Sequence, residues 1–310
     1  MKRIDAIDNR PYVVSGDMRL LMTEWAQNRG YTLPKNGIDQ VRSAFTSQMG
    51  KIFPNFEFIP DEELQSGIGR LAKKAENDKL TPINLDGAYY RSQYEIGITR
   101  GVDENNQDSG LMARAGFPSL ETQLDQIQAA GIRRAVLIDD VVFTGGLTLD
   151  IIDRLKQRGI EVPRVSAGIA VKEGIEALTA RGVEVEAVRE YPEGVIDEVC
   201  ERDFLPGVPM GGRTLNSDPN IGVPYIKPYG NLEKWGSIPK DRLMAVSGTC
   251  NIWMSDFYAQ VAKRSGKEVN FADLGRQIKY AEYATFPASE GLEEIAMFQF
   301  GPFGAGFDRD

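Results

Sequence analysis

Short apolar runs alternate with amphipathic segments between residues 80 and 190, and this alternation predicts the fold class. Strand-length runs occur in YEIGIT, RRAVLID, RVSAGIAV and VEVEAV, and segments with helical spacing lie near 119–130, 146–158 and 173–181. Strands that alternate with helices form parallel sheets covered by helices on both faces. We therefore predict an α/β domain with a doubly wound, largely parallel sheet.

The first 80 residues show mainly helical patterns. Helices are predicted in SGDMRLLMTEWAQNRG, NGIDQVRSAFTSQMG and DEELQSGIGRLAKKAEN, with Ser15 capping the first helix and Gly30 ending it. The intervening KIFPNFEFIP combines proline with aromatic residues and predicts a loop or a short edge strand. Residues 1–80 are therefore expected to form a helical N-terminal region before an α/β core at 81–190.

Beyond the core, residues 191–310 are rich in proline and glycine, as in FLPGVPMGGRTLNSDPNIGVPYIKPYGN, and long ordered loops are expected there. Two helices are predicted near the end, in SDFYAQVAKRSG from Ser255 to Gly266 and in NFADLGRQIKYAEYA from Asn270. The aromatic residues of FQFGPFGAGF are expected to make core or subunit contacts. This third region is thus an extension of loops and helices.

Composition narrows the possible classes of protein. The chain has 310 residues of which 42% are hydrophobic, sufficient for a buried core, but it has no apolar run of membrane-spanning length. The segment MKRIDAIDNRPYVV lacks the apolar stretch of a signal peptide, so a cytoplasmic location without membrane contact is expected. Cys200 and Cys250 support neither a disulfide framework nor a four-cysteine zinc site, and Cys200 is expected to be a buried small residue.

The absence of histidine excludes several kinds of catalytic site. Neither Ser-His-Asp nor Cys-His catalysis is available, nor an imidazole-ligated metal. A net charge of −9 argues against nonspecific nucleic-acid binding, which depends on clustered lysine and arginine. A small anionic ligand remains compatible with this charge, because local donors decide its recognition.

The segment AVLIDDVVFTGGLTLD, residues 135–150, places acidic and glycine residues where a buried strand is predicted to end. Asp139 and Asp140 follow the apolar run, and open α/β sheets bind ligands at the carboxyl ends of their strands. Gly145 and Gly146 let backbone N–H groups approach a ligand, and the following helix directs its positive end there, which suits a phosphate. A phosphorylated sugar fits this pattern; alternatively, the segment is only a strand end with a capped turn.

The stretch VLIDDVVFTGG resembles the PRPP-binding signature of type I phosphoribosyltransferases: a hydrophobic strand, two acidic residues, three variable positions, then Thr-Gly and a further Gly and Thr. The resemblance implies that the acidic pair binds the ribose 2- and 3-hydroxyls, and Mg²⁺ with them, and that the loop binds the 5-phosphate. The PRPP-binding residues implied by it are Asp139, Asp140, Val141, Phe143, Thr144, Gly145, Gly146, Leu147 and Thr148.

Two positions depart from that signature. Leu147 stands where a hydroxyl residue is usual, with Thr148 one place later, so that either the loop is rebuilt or Leu147 packs inward. Phe143 stands where members acting on 6-oxopurines carry aspartate, which argues against a hypoxanthine- or guanine-type enzyme. Phe143 is then expected either to support the acceptor base or to fill a gap.

The resemblance also implies a pyrophosphate loop after an earlier strand, and two segments are candidates. EIGITRG offers Thr99, Arg100 and Gly101, with Arg100 as a catalytic arginine; if YEIGITR is instead the following strand, INLDGAYYRSQ supplies Asp86, Gly87 and Arg91. A guanidinium suits phosphate oxygens in either case. Arg100 is alternatively a solvated charge at a strand end.

Other expected sites lie on either side of the motif. Residues 102–116 are expected to form either a loop that closes over the ribose, with Arg114 binding an anion, or a plain disordered insertion. Its carboxylates Asp103, Glu104 and Asp108 are candidate Mg²⁺ ligands. Residues 196–215 occupy the position of this family's hood, where the acceptor contacts are expected. Those contacts are assigned to Asp203 and Phe204, together with Phe143, and a further anion contact to Arg202 or Arg213.

The leading hypothesis from the sequence is a Mg²⁺-dependent phosphoribosyltransferase that transfers the phosphoribosyl group of PRPP to a nitrogenous acceptor and releases pyrophosphate. Its expected partners are PRPP and a small-molecule base, with no nucleic acid and no membrane; a homodimer is compatible with the sequence. The alternative is a noncatalytic regulator that senses PRPP or a nucleotide. A generic nucleotide-binding α/β protein is disfavoured, since neither G-x-G-x-x-G nor G-x-x-x-x-G-K-[ST] is present.

Overall fold

The computed structural model describes residues 9–279 and 285–300, excluding the side chains of 298–300. The helices in this part are α1 Met18–Arg29, α2 Gly37–Ile52, α3 Asp61–Asn77, α4 Leu120–Ala129, α5 Gly146–Gln157, α6 Lys172–Thr179, α7 Leu232–Gly236, α8 Leu243–Ser265 and α9 Ala288–Phe300. The strands are β1 Tyr12–Ser15, β2 Phe56–Ile59, β3 Thr81–Asn84, β4 Tyr94–Glu95, β5 Ile98–Val102, β6 Asp108–Ala113, β7 Arg134–Val142, β8 Glu161–Val171, β9 Glu184–Tyr191, β10 Asp197–Cys200, β11 Arg213–Leu215, β12 Ile221–Val223 and β13 Gln277–Ile278. None of the helices described is both long and apolar enough to cross a membrane.

The central sheet has five parallel strands in the order β4-β3-β7-β8-β9. Numbered along the chain within this sheet, the order is 2-1-3-4-5, which is a doubly wound arrangement. Helix α3 covers one face, where Leu64 and Ile68 pack against Gly168 of β8. On the other face Leu124 of α4 and Ile151 of α5 join the apolar core. The predicted doubly wound α/β fold is confirmed.

The N-terminal segments largely follow their predicted patterns. Helix α3 spans the residues expected, α1 ends at Gly30 with a φ of 67°, and β2 is the edge strand of the sheet β10-β1-β2. Ser15 is not the cap of α1, because it belongs to β1. Its buried hydroxyl donates a hydrogen bond to Glu198 over 3.0 Å, so long-range pairing outweighs the local capping signal.

The two C-terminal helix predictions differ from the structure. Helix α8 begins at Leu243 and not at Ser255, whose hydroxyl instead donates to the Ser289 carbonyl over 2.8 Å; Gly266 ends the helix as expected. The helix expected from Asn270 is wrong, since a capping box between Asn270 and Asp273 closes a 3₁₀ turn there and β13 follows. Residues 280–284 of that segment and the aromatic side chains of FQFGPFGAGF lie outside the described residues.

The described chain forms two compact units that do not follow the boundaries expected at 80 and 190. The first unit contains residues 9–15, 53–99 and 111–198, and the second contains 16–52, 100–110 and the described residues from 199 onward. The first unit therefore holds the central sheet, while the second holds α1, α2 and α8.

Within the second unit, buried charges are paired. Arg42 Nη2 donates to Glu201 Oε1 over 2.6 Å, and Arg202 Nη1 donates to Asp17 Oδ2 over 2.6 Å. Glu201 is fully buried and also accepts the backbone N–H groups of Asp17 and Met18. Arg202, a candidate anion contact in the sequence, is therefore committed to an internal ion pair.

Residues 102–110 form the tip of a hairpin and not an irregular loop. Asp103 N–H donates to the Gln107 carbonyl over 3.0 Å. Glu104 accepts hydrogen bonds from Ser217 over 2.5 Å and Lys279 over 3.1 Å, and Asn106 donates to the Tyr229 carbonyl over 3.1 Å. Hydrogen bonds to other residues of the second unit therefore hold the tip of the hairpin in place.

Candidate active site at the carboxyl edge of the central sheet

The strand order of the central sheet marks one position on its carboxyl edge. Ligands of doubly wound sheets bind where the order of strands reverses, and here that point lies between β3 and β7. The two strands are neighbours, with Asn84 paired to Ile138. The segments that follow them, 85–93 and 143–145, therefore leave the sheet side by side within the first unit.

The acidic pair lies within β7, which continues to Val142 and does not end before the aspartates. Asp139 is 8% exposed and Asp140 is half-buried. Asp139 Oδ1 accepts the Asp140 N–H over 3.0 Å, and Asp140 Oδ1 accepts the Val141 N–H over 2.7 Å. Asp139 and Asp140 occupy successive positions of the strand, but their carboxylates remain close enough for that of Asp140 to add to burial in raising the pKa of Asp139.

Asp86 and Arg114 add further charges to this edge. Burial first, and then the Asp140 and Asp86 carboxylates, raise the pKa of Asp139 well above its usual value. Asp86 Oδ1 accepts the Ala88 N–H over 2.8 Å, while Oδ2 lies 3.2 Å from Arg114 Nη2. Arg114 also donates to the Ile98 carbonyl over 3.0 Å. The edge thus carries three carboxylates and one guanidinium.

The donor set fits a magnesium ion only as part of a site completed by other oxygens. No cluster of three or more acidic, histidine or cysteine side chains suited to a metal occurs among the described residues. Mg²⁺ commonly uses one or two carboxylates and completes its shell with water and substrate phosphates, which Asp139 and Asp140 allow. The candidates Asp103 and Glu104 already accept hydrogen bonds, Asp103 Oδ1 from the Asn105 and Gln107 N–H groups and Glu104 Oε1 from the Ser217 hydroxyl.

The raised pKa of Asp139 predicts a pH-dependent stability. The folded chain keeps a proton that the unfolded chain releases near pH 3.9, so the free energy of unfolding falls as pH rises from about 4 toward the folded-state pKa. In Asp139→Asn the side chain is an amide that stays uncharged throughout this pH range. We expect this variant to melt a few degrees higher than the unmodified chain at neutral pH. Thermal unfolding between pH 4.5 and 8 tests this. Parallel curves for the two proteins would refute it, and Asp150→Asn on α5 is the control.

The loop after β7 presents backbone amides at its surface. Gly145 adopts a φ of 76° before α5, and Thr144 and Gly146 are exposed. Leu149 N–H donates to the Gly145 carbonyl over 2.9 Å, and the N–H groups before it in the first turn have no acceptor within the helix. These amides and the positive end of α5 suit a phosphate group.

The two positions that depart from the family signature have distinct environments. Leu147 packs inward against the apolar core, which is one of the two predicted alternatives. Thr148 is 2% exposed, so its side chain does not reach the loop surface, where a phosphate contact was predicted for it. Phe143 is half-buried in the loop.

Helix α6 supports this loop through Gly174. A Cβ added at Gly174 would lie 2.6 Å from Val142 Cγ1, 2.7 Å from the Phe143 carbonyl oxygen and 2.8 Å from that of Val142. These contacts require glycine, because backbone atoms on the other side cannot rotate away. The backbone of residues 142–143 is therefore fixed by a close approach that the motif itself does not reveal.

Gly174→Ala is expected to displace the loop and weaken phosphate-ester binding. Overpacking of this kind costs about 1–3 kcal/mol, and a displacement of ~1 Å at a reacting group lowers rates by about a hundredfold. We expect PRPP affinity, measured by calorimetry, to fall about tenfold or more. Gly69→Ala in α3 is the matched control, since its Cβ would meet nothing within 4 Å. Equal affinities for the two variants would contradict the role of Gly174.

The structure distinguishes the two candidate pyrophosphate loops. Thr99, Arg100 and Gly101 lie in β5, which belongs to another sheet, so EIGITRG is not a loop after a strand of the central sheet. The chain passes instead from β3 through residues 85–93 to β4. Arg91 is exposed there, with its Nε 3.5 Å from the Gly87 carbonyl.

Asn84 is a buried polar residue at this edge of the sheet that the sequence patterns did not indicate. It ends β3 beside β7, is fully buried, and donates through Nδ2 to the Tyr90 carbonyl. Its Oδ1 has no hydrogen-bond partner among the described residues. The available signal was a polar residue at the end of the apolar run in TPIN, and its significance depends on the strand order.

Of the two acceptor contacts predicted in residues 196–215, that of Phe204 is wrong, and the carboxylate of Asp203 already accepts a hydrogen bond within the chain. Phe204 is fully buried in the second unit, with ring centroids 5.2 Å from Phe45 and 6.2 Å from Tyr225, so it offers no free face to a base. Asp203 Oδ1 accepts the Gly212 N–H over 2.8 Å. Cys200 is buried, as expected.

Comparison with known proteins gives partial structural matches. No protein-family model and no curated protein matches the chain. Orotate phosphoribosyltransferase from Aeropyrum pernix is 31% identical over 18% of this chain and 33% of its own, with a TM-score of 0.18. The orotate enzyme of Mycobacterium tuberculosis is 16% identical over 40% of this chain and 68% of its own, with a TM-score of 0.24. Adenine phosphoribosyltransferase from Rhodothermus marinus is 19% identical over 40% of this chain and 76% of its own, with a TM-score of 0.25.

Proposed function

We propose that this chain transfers the phosphoribosyl group of PRPP to a nitrogenous acceptor and releases pyrophosphate in the cytoplasm. The observation that carries the proposal is the junction of β7 with α5. A buried carboxylate at 139 and a half-buried one at 140 are followed within one short loop by a glycine-rich helix start, at the point where the strand order reverses. Carboxylates suit sugar hydroxyls and the helix start suits a phosphate, so one molecule carrying both groups fits the pair.

The ribose is assigned to the acidic pair. Asp139 and Asp140 accept hydrogen bonds from its 2- and 3-hydroxyls, and the backbone amides of residues 144–148 bind its 5-phosphate. This assignment is supported by the exposure of Thr144 and Gly146 and by the left-handed backbone at Gly145. Leu147 and the Thr148 side chain take no part, because both are turned toward the core.

The pyrophosphate is assigned to the loop 85–93. Arg91 supplies a guanidinium, and the backbone around Gly87 supplies N–H donors. The Asp86–Arg114 ion pair holds the start of this loop. When bound, Mg²⁺ would supply positive charge to the pyrophosphate, and Asp139 and Asp140 would hold it, directly or through water. The chain's contribution is then mainly positioning and electrostatic stabilisation of the separating charges.

The experiment is an assay of pyrophosphate release from PRPP with Mg²⁺ and a panel of purine and pyrimidine bases, together with calorimetry of PRPP binding. We expect binding, and release that depends on one base. Absence of PRPP binding would refute the proposal.

Binding without release under any condition would favour a second candidate, a PRPP- or nucleotide-sensing regulator. Two observations support that candidate: the Thr148 side chain is buried, and Arg100 lies outside the central sheet.

A further inference from the structure

Two arginines stand side by side on neighbouring strands of the second unit. Strands β11 and β5 are parallel, with Thr214 paired to Gly101 and Leu215 to Val102. Arg213 comes directly before Thr214, and Arg100 directly before Gly101, so the two arginines lie opposite each other. Their side chains therefore leave the same face of the sheet. Neighbouring strands are about 4.8 Å apart, and like charges directly opposite each other are destabilising. The arrangement therefore favours a negative group between or above them.

Arg213 is held rigidly and is almost entirely buried. Its side chain is 10% exposed, and its guanidinium carbon lies 4.5 Å from the centroid of the Trp235 ring. Its Nε–H is buried and has no acceptor among the described residues, and the same is true of the Trp235 indole N–H. A buried donor without an acceptor lowers the stability of the fold, so acceptor atoms added near these two side chains are expected to be favourable.

Asp108 is the carboxylate that contacts Arg213, and its environment differs from that of its partner. Its Oδ2 lies 2.8 Å from Arg213 Nη1, but the Asp108 side chain is 53% exposed. The pKa of Asp108 lies below its usual value, mainly because its carboxylate accepts the Gly110 N–H. Partial burial opposes this decrease, and the Arg213 and Arg100 guanidiniums add to it. The carboxylate is thus half in contact with solvent, whereas the guanidinium is stacked on Trp235 and buried.

We propose that Arg213 and Arg100 form a binding site for a phosphate dianion, free or as a monoester, and that the Asp108 carboxylate occupies this site until the dianion displaces it. Guanidinium groups bind phosphate oxygens in bidentate geometry. Two guanidiniums carry two positive charges, which a dianion balances and a single carboxylate does not. All the residues involved belong to the second unit, whereas the residues assigned to phosphoribosyl transfer belong to the first.

The test is titration of the full chain with inorganic phosphate, followed by calorimetry and tryptophan fluorescence. Arg213→Lys keeps the charge but loses the bidentate geometry, and we expect it to bind at least tenfold more weakly. Asp108→Asn removes the competing carboxylate, and we expect it to bind about fivefold more tightly. Trp235→Phe keeps an aromatic ring under Arg213 and is expected to bind phosphate without the fluorescence change. Arg242→Gln, an exposed arginine of the same unit, is the matched control and should bind as the unmodified chain does.

Further arms identify the ligand and guard against misfolding. Ribose 5-phosphate that competes for the same fluorescence change would indicate a monoester, and acetate should compete at least tenfold less well because it carries one charge. Melting curves check that each variant folds. If Arg213→Lys does not fold, phosphate binding by Asp108→Asn and Arg100→Gln tests the proposal instead. Unchanged or weaker phosphate binding by folded Asp108→Asn would overturn the proposal, as would unchanged binding by Arg100→Gln.

Discussion

Replacing Asp139 and Asp140 together by asparagine is expected to abolish detectable PRPP binding while the chain remains folded. Each carboxylate is assigned hydrogen bonds to a sugar hydroxyl, and bonds to charged groups contribute about 1.5–3 kcal/mol each. Loss of two such groups predicts a decrease in affinity of about a hundredfold or more. Asparagine keeps the size of the side chain and is uncharged, and burial, which raises the pKa of Asp139, does not disfavour an uncharged group there.

Calorimetry with PRPP and Mg²⁺ measures this effect. Asp150→Asn is the matched control, since Asp150 lies on the neighbouring helix α5 and pairs with Arg154 on its surface. The control should bind as the unmodified chain does. Full affinity in a folded double variant would remove the acidic pair from the site.

The second large effect is expected at Arg42. Arg42→Met keeps an unbranched side chain of about the length of the arginine stem but leaves the Glu201 carboxylate fully buried without its guanidinium partner. Removal of one member of a buried ion pair typically lowers the free energy of unfolding by about 3–5 kcal/mol. Urea unfolding of the full chain at neutral pH measures this change.

An exposed ion pair of the same unit provides the control for that measurement. Arg19 and Asp39 lie 2.7 Å apart, but their side chains are 40% and 54% exposed. Arg19→Met should therefore change the free energy of unfolding by no more than ~1 kcal/mol. Equal losses for Arg42→Met and Arg19→Met would show that burial of Glu201 does not determine the effect.

Local sequence spacing was sufficient for several elements of the fold. Helix α3 was predicted at Asp61–Asn77 from its apolar periodicity, and the glycine at position 30 marked the end of α1. The start of α1 was missed because Ser15 lies in β1, where Val14 pairs with Phe58 far along the chain. A capping signal covers a few residues and contains no information about such a partner.

The same distinction applies to the candidate site. The position of Gly145 before a helix followed from the spacing, whereas Asp139 and Asp140 were expected at the end of a strand that in fact continues to Val142. Asn84 and Gly174 did not follow from the spacing, because each acts through a neighbour brought close only by the order of strands and helices. Phe204 was assigned to the acceptor because residues 196–215 occupy the position of the hood implied by the resemblance, where its ring would stack on a base. Its burial against Phe45 depends on a contact across more than half the chain.

The alternation of the two units along the chain has a consequence for synthesis on the ribosome. Residues 16–52 belong with the segment that begins at 199, and most of the first unit is translated between them. Helices α1 and α2 therefore emerge long before their packing partner α8, with apolar residues such as Met22 and Phe45 still uncovered. The nascent chain is expected to need shielding by a chaperone during that interval, and a C-terminal truncation before α8 should aggregate.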